Sequence, residues 1–323
     1  MRHSAASETP QAGRRQFAED VEYYMSLTPR QLPSQYLYDE LGSALFEAIC
    51  RLPWYHITRA EQRLLSERAE DILAAVAPLS TLVELGPGSG EKLATLLNTA
   101  PSWRGVTVHL VDISGAALRA ASRALEGYPQ LAVVAHEAAY EVGLAEASAE
   151  RQAGRSLALF LGSNIGNFDP PGAGAFLRSI RSALSAGDSL LLGADLVKAE
   201  RDLLLAYDDP LGVTAAFNRN LLVRANRDLD ADFDVDRFRH RAVWNAGASR
   251  VEMHLVSTAR QRVRIPASRM DITFGAGETI WTESSYKYRP GEILRMLAVA
   301  GFKQSEQWLD ERNGFALTLV EAV

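Results

Sequence analysis

The stretch TLVELGPGSGEKL, residues 81–93, decides the fold. Its first five residues are mostly apolar and predict a buried strand at 81–85. Three glycines then alternate with Pro87 and Ser89, and the polar residues that follow predict the start of a helix. A strand, a glycine-rich turn and a helix in this order hold a nucleotide in several folds. The first question is therefore which nucleotide this turn would accept.

Apolar strands alternate with amphipathic helices on the C-terminal side of this turn. The pattern predicts helices at 90–99, 114–126 and 173–185, and strands at 106–112, 131–135, 157–161 and 189–196. Such alternation indicates a parallel sheet with helices on both faces. A last helix at 290–300 and a last strand at 315–321 fit the same sheet. We therefore predict an α/β fold built on a Rossmann-like sheet.

The remaining segments predict a second, α+β domain. A helical stretch at 38–51 ends before Pro53, and Thr58 with Glu61 has the spacing of a capping box that opens a long helix. A helical region at 199–226 precedes a hairpin signal at 237–257, centred on Asn245-Ala246-Gly247. The predicted organisation has three parts: a disordered 1–15, a substrate-binding domain of 16–60 plus 199–286, and a nucleotide-binding domain of 61–198 plus 287–323.

Composition excludes several classes of protein. The 323 residues are 47% hydrophobic with a net charge of −6, and no basic patch indicates a nucleic-acid partner. No apolar run approaches the ~20 residues of a membrane span, and the N-terminus lacks the apolar segment of a secretory signal. Cys50 is the single cysteine, which fits a reducing cytoplasm. The six histidines show no metal-ligand spacing, so we expect no metal, and a monomer is the default expectation.

Asp112 helps to identify the nucleotide. It ends the next predicted strand, where a carboxylate can accept both hydroxyls of a ribose. The dinucleotide fingerprint is G-x-G-x-x-G, whereas this turn reads G-x-G-x-G and follows Glu84 inside the strand. That form is more typical of enzymes that use S-adenosylmethionine (SAM). The alternative is a tight glycine turn that binds no ligand, and the position of Asp112 argues against it.

Further sequence blocks are distinctive, and they extend over most of the chain. They comprise Tyr38-Asp39-Glu40-Leu41-Gly42-Ser43-Ala44-Leu45-Phe46, Arg51-Leu52-Pro53-Trp54-Tyr55, Thr58-Arg59-Ala60-Glu61, Phe160-Leu161-Gly162-Ser163-Asn164-Ile165-Gly166-Asn167, Ala206-Tyr207-Asp208-Asp209, Gly212-Val213-Thr214-Ala215-Ala216-Phe217-Asn218, Arg250-Val251-Glu252-Met253 and Thr282-Glu283-Ser284-Ser285-Tyr286-Lys287-Tyr288. With these blocks the chain resembles the histidine-specific, SAM-dependent Nα-methyltransferases, which catalyse the first step of ergothioneine biosynthesis. The resemblance implies a class I SAM methyltransferase sheet and SAM as the methyl donor.

The resemblance also implies the residues that hold the donor. Carried over to this sequence they are Tyr38, Phe46, Gly86, Lys92, Asp112 and Tyr140. One position departs from the family, which has an acidic residue followed by an aromatic one after the third strand, near the adenine. Here the pair is Ala139-Tyr140, so the adenine amino group would lose a carboxylate partner unless Glu137 replaces it. We expect weaker donor binding or a local rearrangement.

The histidine site that the resemblance implies is complete in this sequence. Its residues are Tyr55, Asn167, Tyr207, Thr214, Met253, Glu283 and Ser285, of which Tyr55, Asn167 and Tyr207 are the expected catalytic set. Asn167 and Tyr207 can donate hydrogen bonds to a carboxylate. Glu283 and Ser285, two apart on one predicted strand, can face an imidazole. The implied reaction is threefold methylation of the α-amino group of L-histidine, giving hercynine.

Alternatives remain at this point. The chain could methylate another free amino acid such as tryptophan, although an indole has one N–H and no acceptor to match Glu283 with Ser285. It could also bind SAM without catalysis, which Ala139 favours and the retained Asp112, Asn167 and Tyr207 disfavour. Taken singly, Asn167 could cap a helix, Tyr55 and Tyr207 could be ordinary half-buried aromatics, and Glu283 could be a solvated surface charge.

Overall fold

The structure is a computed structural model that describes residues 2–3, 10–99, 103–151 and 153–323. The described α-helices, α1 to α10 in chain order, are Pro10–Ser26, Glu40–Cys50, His56–Val76, Glu91–Leu97, Gly115–Ala124, Tyr140–Ala149, Pro170–Ala183, Glu200–Tyr207, Val213–Leu229 and Pro290–Val299. The described strands, β1 to β14, are Arg2–His3, Arg30–Gln31, Leu79–Leu85, Thr107–Asp112, Ala132–Glu137, Arg155–Phe160, Ser189–Asp195, Phe238–Asn245, Arg250–Ser257, Gln261–Ile265, Met270–Phe274, Thr279–Tyr286, Phe302–Asp310 and Phe315–Ala322. Short 3-10 turns at Ser34–Leu37, Asn164–Asn167, Val235–Arg237 and Pro266–Ser268 complete the described elements.

The chain divides into two compact units. The sheet unit is drawn from Met1–Ser7, His56–Lys198 and Tyr286–Val323, and the insertion unit from Glu8–Tyr55 and Ala199–Ser285. These boundaries lie within a few residues of the predicted ones at 198, 286 and 60. The insertion unit thus combines an N-terminal segment with a segment that interrupts the sheet unit after β7.

The sheet unit contains an eight-stranded sheet in the order β1-β5-β4-β3-β6-β7-β14-β13. Neighbours from β1 to β7 are parallel, and β14 and β13 are antiparallel additions at one edge. Strand β7 is buried along its whole length, as a parallel strand covered on both faces should be. The predicted α/β fold with a Rossmann-like sheet is therefore confirmed.

Helix starts in this unit follow from local capping chemistry. Ser114 accepts the N–H of Ala117 at the start of α5, and Asp169 accepts the N–H of Gly172 (2.8 Å) at the start of α7. Because α7 begins with two prolines, whose missing N–H groups cost nothing in the first turn, its start is sharply defined. These caps place the preceding loops, which carry Asp112 and Asn167, at the carboxyl ends of β4 and β6.

The insertion unit contains a four-stranded sheet in the order β2-β12-β9-β8 and a two-stranded sheet of β10 and β11. The predicted hairpin is confirmed: β8 and β9 are antiparallel, and Asn245 pairs with Arg250 across the turn. Helix α9 packs on this sheet, where Asn218 donates to the main-chain oxygen of His254 (3.3 Å). The predicted second α+β domain is present.

Four sequence expectations need comment. The capping box at Thr58 and Glu61 was wrong, because α3 begins at His56 and Glu61 makes tertiary contacts instead. Helix α6 was missed, and so was β13, which is an edge strand whose exposed residues hide the period of two. Of the predicted disordered segment, residues 1 and 4–9 lie outside the described residues, and α1 begins at Pro10.

Candidate active site

The glycine turn after β3 is built for close approach to the backbone. Gly86, Gly88 and Gly90 all have positive φ, which side chains rarely tolerate. A Cβ added at Gly86 would lie 2.8 Å from both the Asn164 amide nitrogen and the Tyr140 hydroxyl. The turn therefore presents bare main chain, which the methionine moiety of SAM could contact. This fits the predicted donor.

Two acidic residues lie in the strands beside this turn, one at the end of β4 and one inside β3. Asp112 ends β4 and accepts the N–H of Ser114 (2.8 Å), and burial raises the pKa of its carboxyl to about 6. Glu84 is buried inside β3, and burial raises its pKa to about 8 although Lys92 opposes the shift. Burial therefore favours the protonated form of Glu84, and its Oε2 has no hydrogen-bond partner among the residues that the structure describes.

Lys92 lies in the first turn of α4 and forms an ion pair that the sequence did not suggest. Its Nζ is 2.6 Å from Oε2 of Glu61, whose side chain is fully buried. A buried carboxylate needs a charged or hydrogen-bonding partner, and Lys92 supplies one. Because Glu61 lies three residues after Thr58, the sequence predicted that it caps the helix. The ion pair with Lys92 was therefore missed.

Tyr140 begins α6 and packs on the core of the sheet unit. Its ring meets those of Phe160 and Phe176 at centroid distances of 5.5 and 5.7 Å, and its hydroxyl reaches Gly86. The structure thus brings Tyr140 and Gly86 together, as the predicted donor set requires. Ala139 is the N-cap residue of α6 and is exposed, so an acidic side chain there would both cap the helix and face solvent.

Glu137, the alternative carboxylate, ends β5 directly beside Asp112 on β4. Its two carboxylate oxygens lie 3.0 Å from the place where a Cβ on Gly115 would stand. The Glu137 side chain therefore lies next to the first residue of α5, on the strand that neighbours Asp112, and it is exposed. That position keeps it available as an acceptor at this edge of the sheet.

Asn167 is the last residue of the 3-10 turn that follows β6, and it is exposed. The possibility that it caps the next helix is excluded, because Asp169 does so. Nearby in the same turn, Asn164 lies against Gly86. The motif 160–167 therefore brings one amide to the glycine turn and leaves another exposed at the carboxyl end of β6.

The insertion unit gathers five aromatic residues into one cluster, which we call the aromatic cluster: Tyr38, Phe46, Tyr55, Tyr207 and Phe217. Tyr38 and Phe46 have centroids 5.5 Å apart, and each contacts Phe217. Tyr55 contacts Phe46 and Tyr207, both at 6.3 Å. Predicted donor residues, Tyr38 and Phe46, therefore share one cluster with predicted acceptor residues, Tyr55 and Tyr207. Tyr55 and Tyr207 are both buried, so they are not surface aromatics.

Tyr207 is held at both its hydroxyl and its main chain. Its Oη donates to Oγ of Ser285 in a buried hydrogen bond of 2.7 Å. Its carbonyl oxygen accepts from Nε2 of His240 (2.8 Å), while Nδ1 of His240 accepts from Asn218 (2.9 Å). This network fixes the neutral Nε2–H tautomer, and burial lowers the pKa of His240. Asn218 and His240 were missed because nothing local in the sequence links them to Tyr207.

Thr214 and Met253 are both buried. Thr214 lies in the first turn of α9, where its N–H donates to Oδ2 of Asp209 (2.8 Å). Burial raises the pKa of Asp209, but its hydrogen bonds from this turn outweigh that effect and hold it below the usual value. Met253 lies on β9, and its carbonyl oxygen accepts from the Thr282 hydroxyl on β12 (3.0 Å). The strand that carries Glu283 and Ser285 is thereby attached to Met253.

Glu283 is only partly exposed, so it is not a fully solvated surface charge. Its carbonyl oxygen accepts from the indole of Trp281 (2.9 Å), and the Arg250 guanidinium stacks 4.4 Å above that indole. Glu252 binds Arg250 (2.7 Å), and His254 faces Trp281 in a stacked arrangement. The main chain at Glu283 is therefore supported by a network that runs through Trp281.

In the parts of the chain that the structure describes, no group of His, Cys, Asp and Glu side chains could hold a metal ion. Within the same residues, no helix combines the length and apolarity needed to span a membrane.

The predicted site residues are distributed over the two units. Gly86, Lys92, Asp112, Tyr140 and Asn167 belong to the sheet unit, and the remaining predicted residues belong to the insertion unit.

Comparison with known proteins gives consistent results. Residues 17–322 match the family described as histidine-specific methyltransferase, SAM-dependent. The chain is 42% identical to the histidine N-alpha-methyltransferase of Mycolicibacterium smegmatis, over 93% of each chain, and 42% identical to that of Mycobacterium tuberculosis, over 99% of each. It is 29% identical to ergothioneine biosynthesis protein 1 of Schizosaccharomyces pombe, over 86% of this chain and 37% of that protein.

Proposed function

The chain belongs to the histidine-specific, SAM-dependent methyltransferase family, and we propose that it transfers three methyl groups from SAM to the α-amino group of L-histidine. The product is the trimethylated amino acid hercynine, and the reaction is the first step of ergothioneine biosynthesis. The two relatives that are 42% identical over nearly the whole chain are named histidine N-alpha-methyltransferase, which supports the proposed acceptor. The Schizosaccharomyces pombe relative is named ergothioneine biosynthesis protein 1, which supports the proposed pathway.

One observation carries the acceptor assignment. The Tyr207 hydroxyl donates to Ser285 in a buried bond of 2.7 Å. Because a tyrosine hydroxyl has one proton to donate, in the proposed site Tyr207 exchanges this bond for one to the substrate carboxylate, and Ser285 with Glu283 binds the imidazole. The bond joins the two recognition ends within one unit, at a separation that a small amino acid can bridge. Tyr55 lies against Tyr207, so the same cluster supplies an apolar wall.

The imidazole explains why Glu283 and Ser285 act as a pair. Glu283 accepts the ring N–H, and the Ser285 hydroxyl can donate to the other ring nitrogen. An indole offers no second nitrogen, so tryptophan would leave the buried Ser285 hydroxyl without a ring partner. Sites that hydrogen-bond a substrate discriminate against analogues lacking those groups, because the unpaired polar atoms raise the free energy.

The donor residues fit an adenosine with a methionine moiety. Asp112 can accept from the ribose hydroxyls, and its raised pKa of about 6 leaves it ionised at neutral pH. The bare main chain at Gly86 admits the methionine moiety, and Lys92 offers an ammonium to its carboxylate. When bound, SAM supplies an electrophilic methyl on a sulfonium.

Catalysis by this chain rests on positioning. The attacking amine must be neutral and held in line with the methyl at about 3–3.5 Å. Asn167 is exposed at the end of β6, where its amide can bind the substrate carboxylate and orient the amine. The Tyr55 and Tyr207 hydroxyls are the protein groups that can receive or relay the proton of the amine. No metal is required in this scheme.

We further propose that the chain acts in the cytoplasm as a monomer that needs neither nucleic acid nor membrane. A net charge of −6 opposes binding to polyanions, and the lone cysteine suits a reducing compartment. Light scattering coupled to size-exclusion chromatography would test the monomer: a mass of about twice 35.4 kDa would refute it.

Incubation of the purified chain with SAM and a panel of free amino acids tests the function directly. We expect histidine to gain one, two and finally three methyl groups by mass spectrometry, whereas tryptophan gains none at the same enzyme concentration. Methylation of tryptophan in preference to histidine would establish the alternative acceptor. Methylation of no amino acid, together with measurable binding of S-adenosylhomocysteine, would identify a non-catalytic SAM-binding protein.

A further inference from the structure

The carboxylate of Glu61 is buried and contacts two other elements of the sheet unit. Glu61 lies in the second turn of α3, and its side chain is completely buried. Its Oε2 is 2.6 Å from Nζ of Lys92, which itself is only 22% exposed. The ion pair therefore fixes a lysine in the first turn of the helix that follows the glycine turn.

The same carboxylate holds a second element. The N–H of Gly162 donates to both oxygens of Glu61, at 2.8 and 2.9 Å. Gly162 comes two residues after β6, between that strand and the turn that carries Asn164 and Asn167. Glu61 thus connects α4 to the carboxyl end of β6, and both lie next to the glycine turn.

Strand β7 is shaped to admit this carboxylate. A Cβ on Gly193 would lie 2.0 Å from Oε1 of Glu61, a distance that no structure tolerates. Gly193 has no positive φ, so space rather than backbone conformation requires glycine at this position. Glycine weakens a strand interior, and close approach of another group is a recognised reason for its presence. The sheet therefore carries a structural cost at Gly193 that makes room for Glu61.

Lys92 has two acidic neighbours. Glu61 forms the ion pair, and Glu84 lies close enough that Lys92 opposes the rise in the pKa of Glu84. An ammonium has three N–H donors, so a bond to Glu61 is compatible with a further bond to a ligand carboxylate. A flexible lysine loses side-chain entropy when it binds a ligand, and a fixed one has already lost it.

We infer that Glu61 is a positioning residue for the methyl donor, which holds the Lys92 ammonium and the Gly162 main chain in place for the methionine carboxylate of SAM. The inference rests on the proposed function only for the identity of the donor. It assigns no contact between Glu61 and SAM, because the Glu61 carboxylate is committed to Lys92 and Gly162.

Titration of the whole chain with S-adenosylhomocysteine by isothermal calorimetry tests this role. In Glu61→Gln one oxygen can still accept from Gly162, but the ion pair is lost, and we expect the Kd to rise about tenfold or more. Gly193→Ala should raise the Kd in the same direction, because the new methyl displaces the Glu61 carboxylate. Glu67→Gln, an exposed position on the same helix, should leave the Kd unchanged within about twofold.

A general loss of structure would impair histidine use as well as donor binding. We expect the KM for histidine at saturating SAM to change less than about twofold in Glu61→Gln, because acceptor recognition lies in other residues. An unchanged Kd, or parallel losses in donor binding and histidine KM, would overturn the inference. If Glu61→Gln fails to fold by circular dichroism, Glu61→Asp replaces it, with a smaller rise in Kd expected and an unchanged Kd again contradictory.

A double-mutant cycle identifies the route of the effect. If Glu61 acts through Lys92, Glu61→Gln should weaken binding little further when Lys92→Met is already present. Additive losses would contradict that route. Binding of S-adenosylhomocysteine needs no acceptor, so these measurements stand even if histidine proves to be the wrong substrate.

Discussion

The proposed donor residues of the sheet unit and the proposed acceptor residues of the insertion unit are distributed differently along the chain. Gly86, Lys92 and Asp112 fall within one strand, turn, helix and strand in succession. Tyr55, Tyr207 and Ser285 come from three segments, and Ser285 is 78 residues beyond Tyr207, its hydrogen-bond partner. The first set is positioned by local backbone, and the second by side chains that meet only after folding.

This difference has a physical cause. A turn that binds through main chain needs residues able to adopt its φ values, and glycine meets that need wherever the turn lies. A site that recognises an imidazole needs hydrogen-bond donors and acceptors at defined places. The side chains that supply them must be held by rigid partners, as His240 holds the main chain of Tyr207. Substitutions of Tyr207, Glu283 and Ser285 should therefore change acceptor use and leave donor binding intact.

The largest expected effect is on histidine itself. Glu283→Ala should lower kcat/KM for histidine about 100-fold, because the imidazole N–H loses a charged acceptor worth roughly 2–3 kcal/mol. The Kd of S-adenosylhomocysteine should stay within about twofold. Glu306→Ala, at an exposed position of β13, is the matched control. An unchanged kcat/KM for histidine, or a rise in the Kd of S-adenosylhomocysteine as large as the kinetic loss, would contradict the proposed division between acceptor and donor.

The corresponding change in the sheet unit is Asp112→Asn. We expect the Kd of S-adenosylhomocysteine to rise roughly 30-fold, because hydrogen bonds to a charged acceptor contribute about 1.5–3 kcal/mol. The pKa of Asp112 is raised to about 6 by burial, so wild-type donor affinity should fall as the pH drops below about 6. Calorimetry across pH 5–8 checks both points, and a variant that retained the wild-type pH profile would contradict the assignment.

A smaller effect is expected from the Tyr207 hydroxyl. Tyr207→Phe removes its hydrogen bond to the charged substrate carboxylate, worth about 1.5 kcal/mol, and leaves Tyr55 to relay the proton, which predicts a roughly tenfold loss of kcat/KM for histidine. Donor affinity should not change. Steady-state kinetics at saturating SAM measure the first quantity. A rise in the Kd of S-adenosylhomocysteine comparable to the kinetic loss would show that the two sets of residues are coupled.

Ala139→Asp restores the acidic residue that the family has beside the adenine. An aspartate at the N-cap of α6 should stabilise the chain by about 0.5–1 kcal/mol, and donor binding should tighten a few-fold. Thermal unfolding with and without S-adenosylhomocysteine separates the two gains. If only the ligand-free melting temperature rises, the substitution caps the helix but does not reach the donor.

The smallest expected effect on either site comes from a buried histidine pair. Nδ1 of His109 lies 2.9 Å from Nε2 of His136, whose other nitrogen binds Glu146, and burial together with His136 lowers the pKa of His109 from 6.5 to about 4. Unfolded chains bind more protons in this window, so the free energy of unfolding should fall as pH drops from 6.5 to 4. His109→Asn should flatten that slope in urea titrations and leave kcat/KM at pH 7.5 unchanged. An undiminished slope would assign the acid sensitivity to other groups.

Much of the fold, and the form of the glycine turn, were predictable from the sequence. Strand β3, the glycine turn and Asp112 are local patterns, and an apolar run ended by glycines has few other structures available. The hairpin at Asn245 was predictable for the same reason. Strand β13 was not, because an exposed edge strand need not alternate apolar and polar residues. Helix α6 starts at Tyr140, and its N-cap residue Ala139 has no capping side chain to signal the start.

By itself the sequence determined the alternation of strands and helices apart from α6 and β13, the form of the glycine turn and the identity of the residues that match the family. These depend on local backbone preference and on residue type, which a linear sequence contains. Only the tertiary structure decided that Glu61 pairs with Lys92 rather than capping α3, that Gly193 makes room for that carboxylate, and that Asn218 and His240 support Tyr207. The reason is that a buried polar group must find its partner in space, and the partner can be far away in the chain.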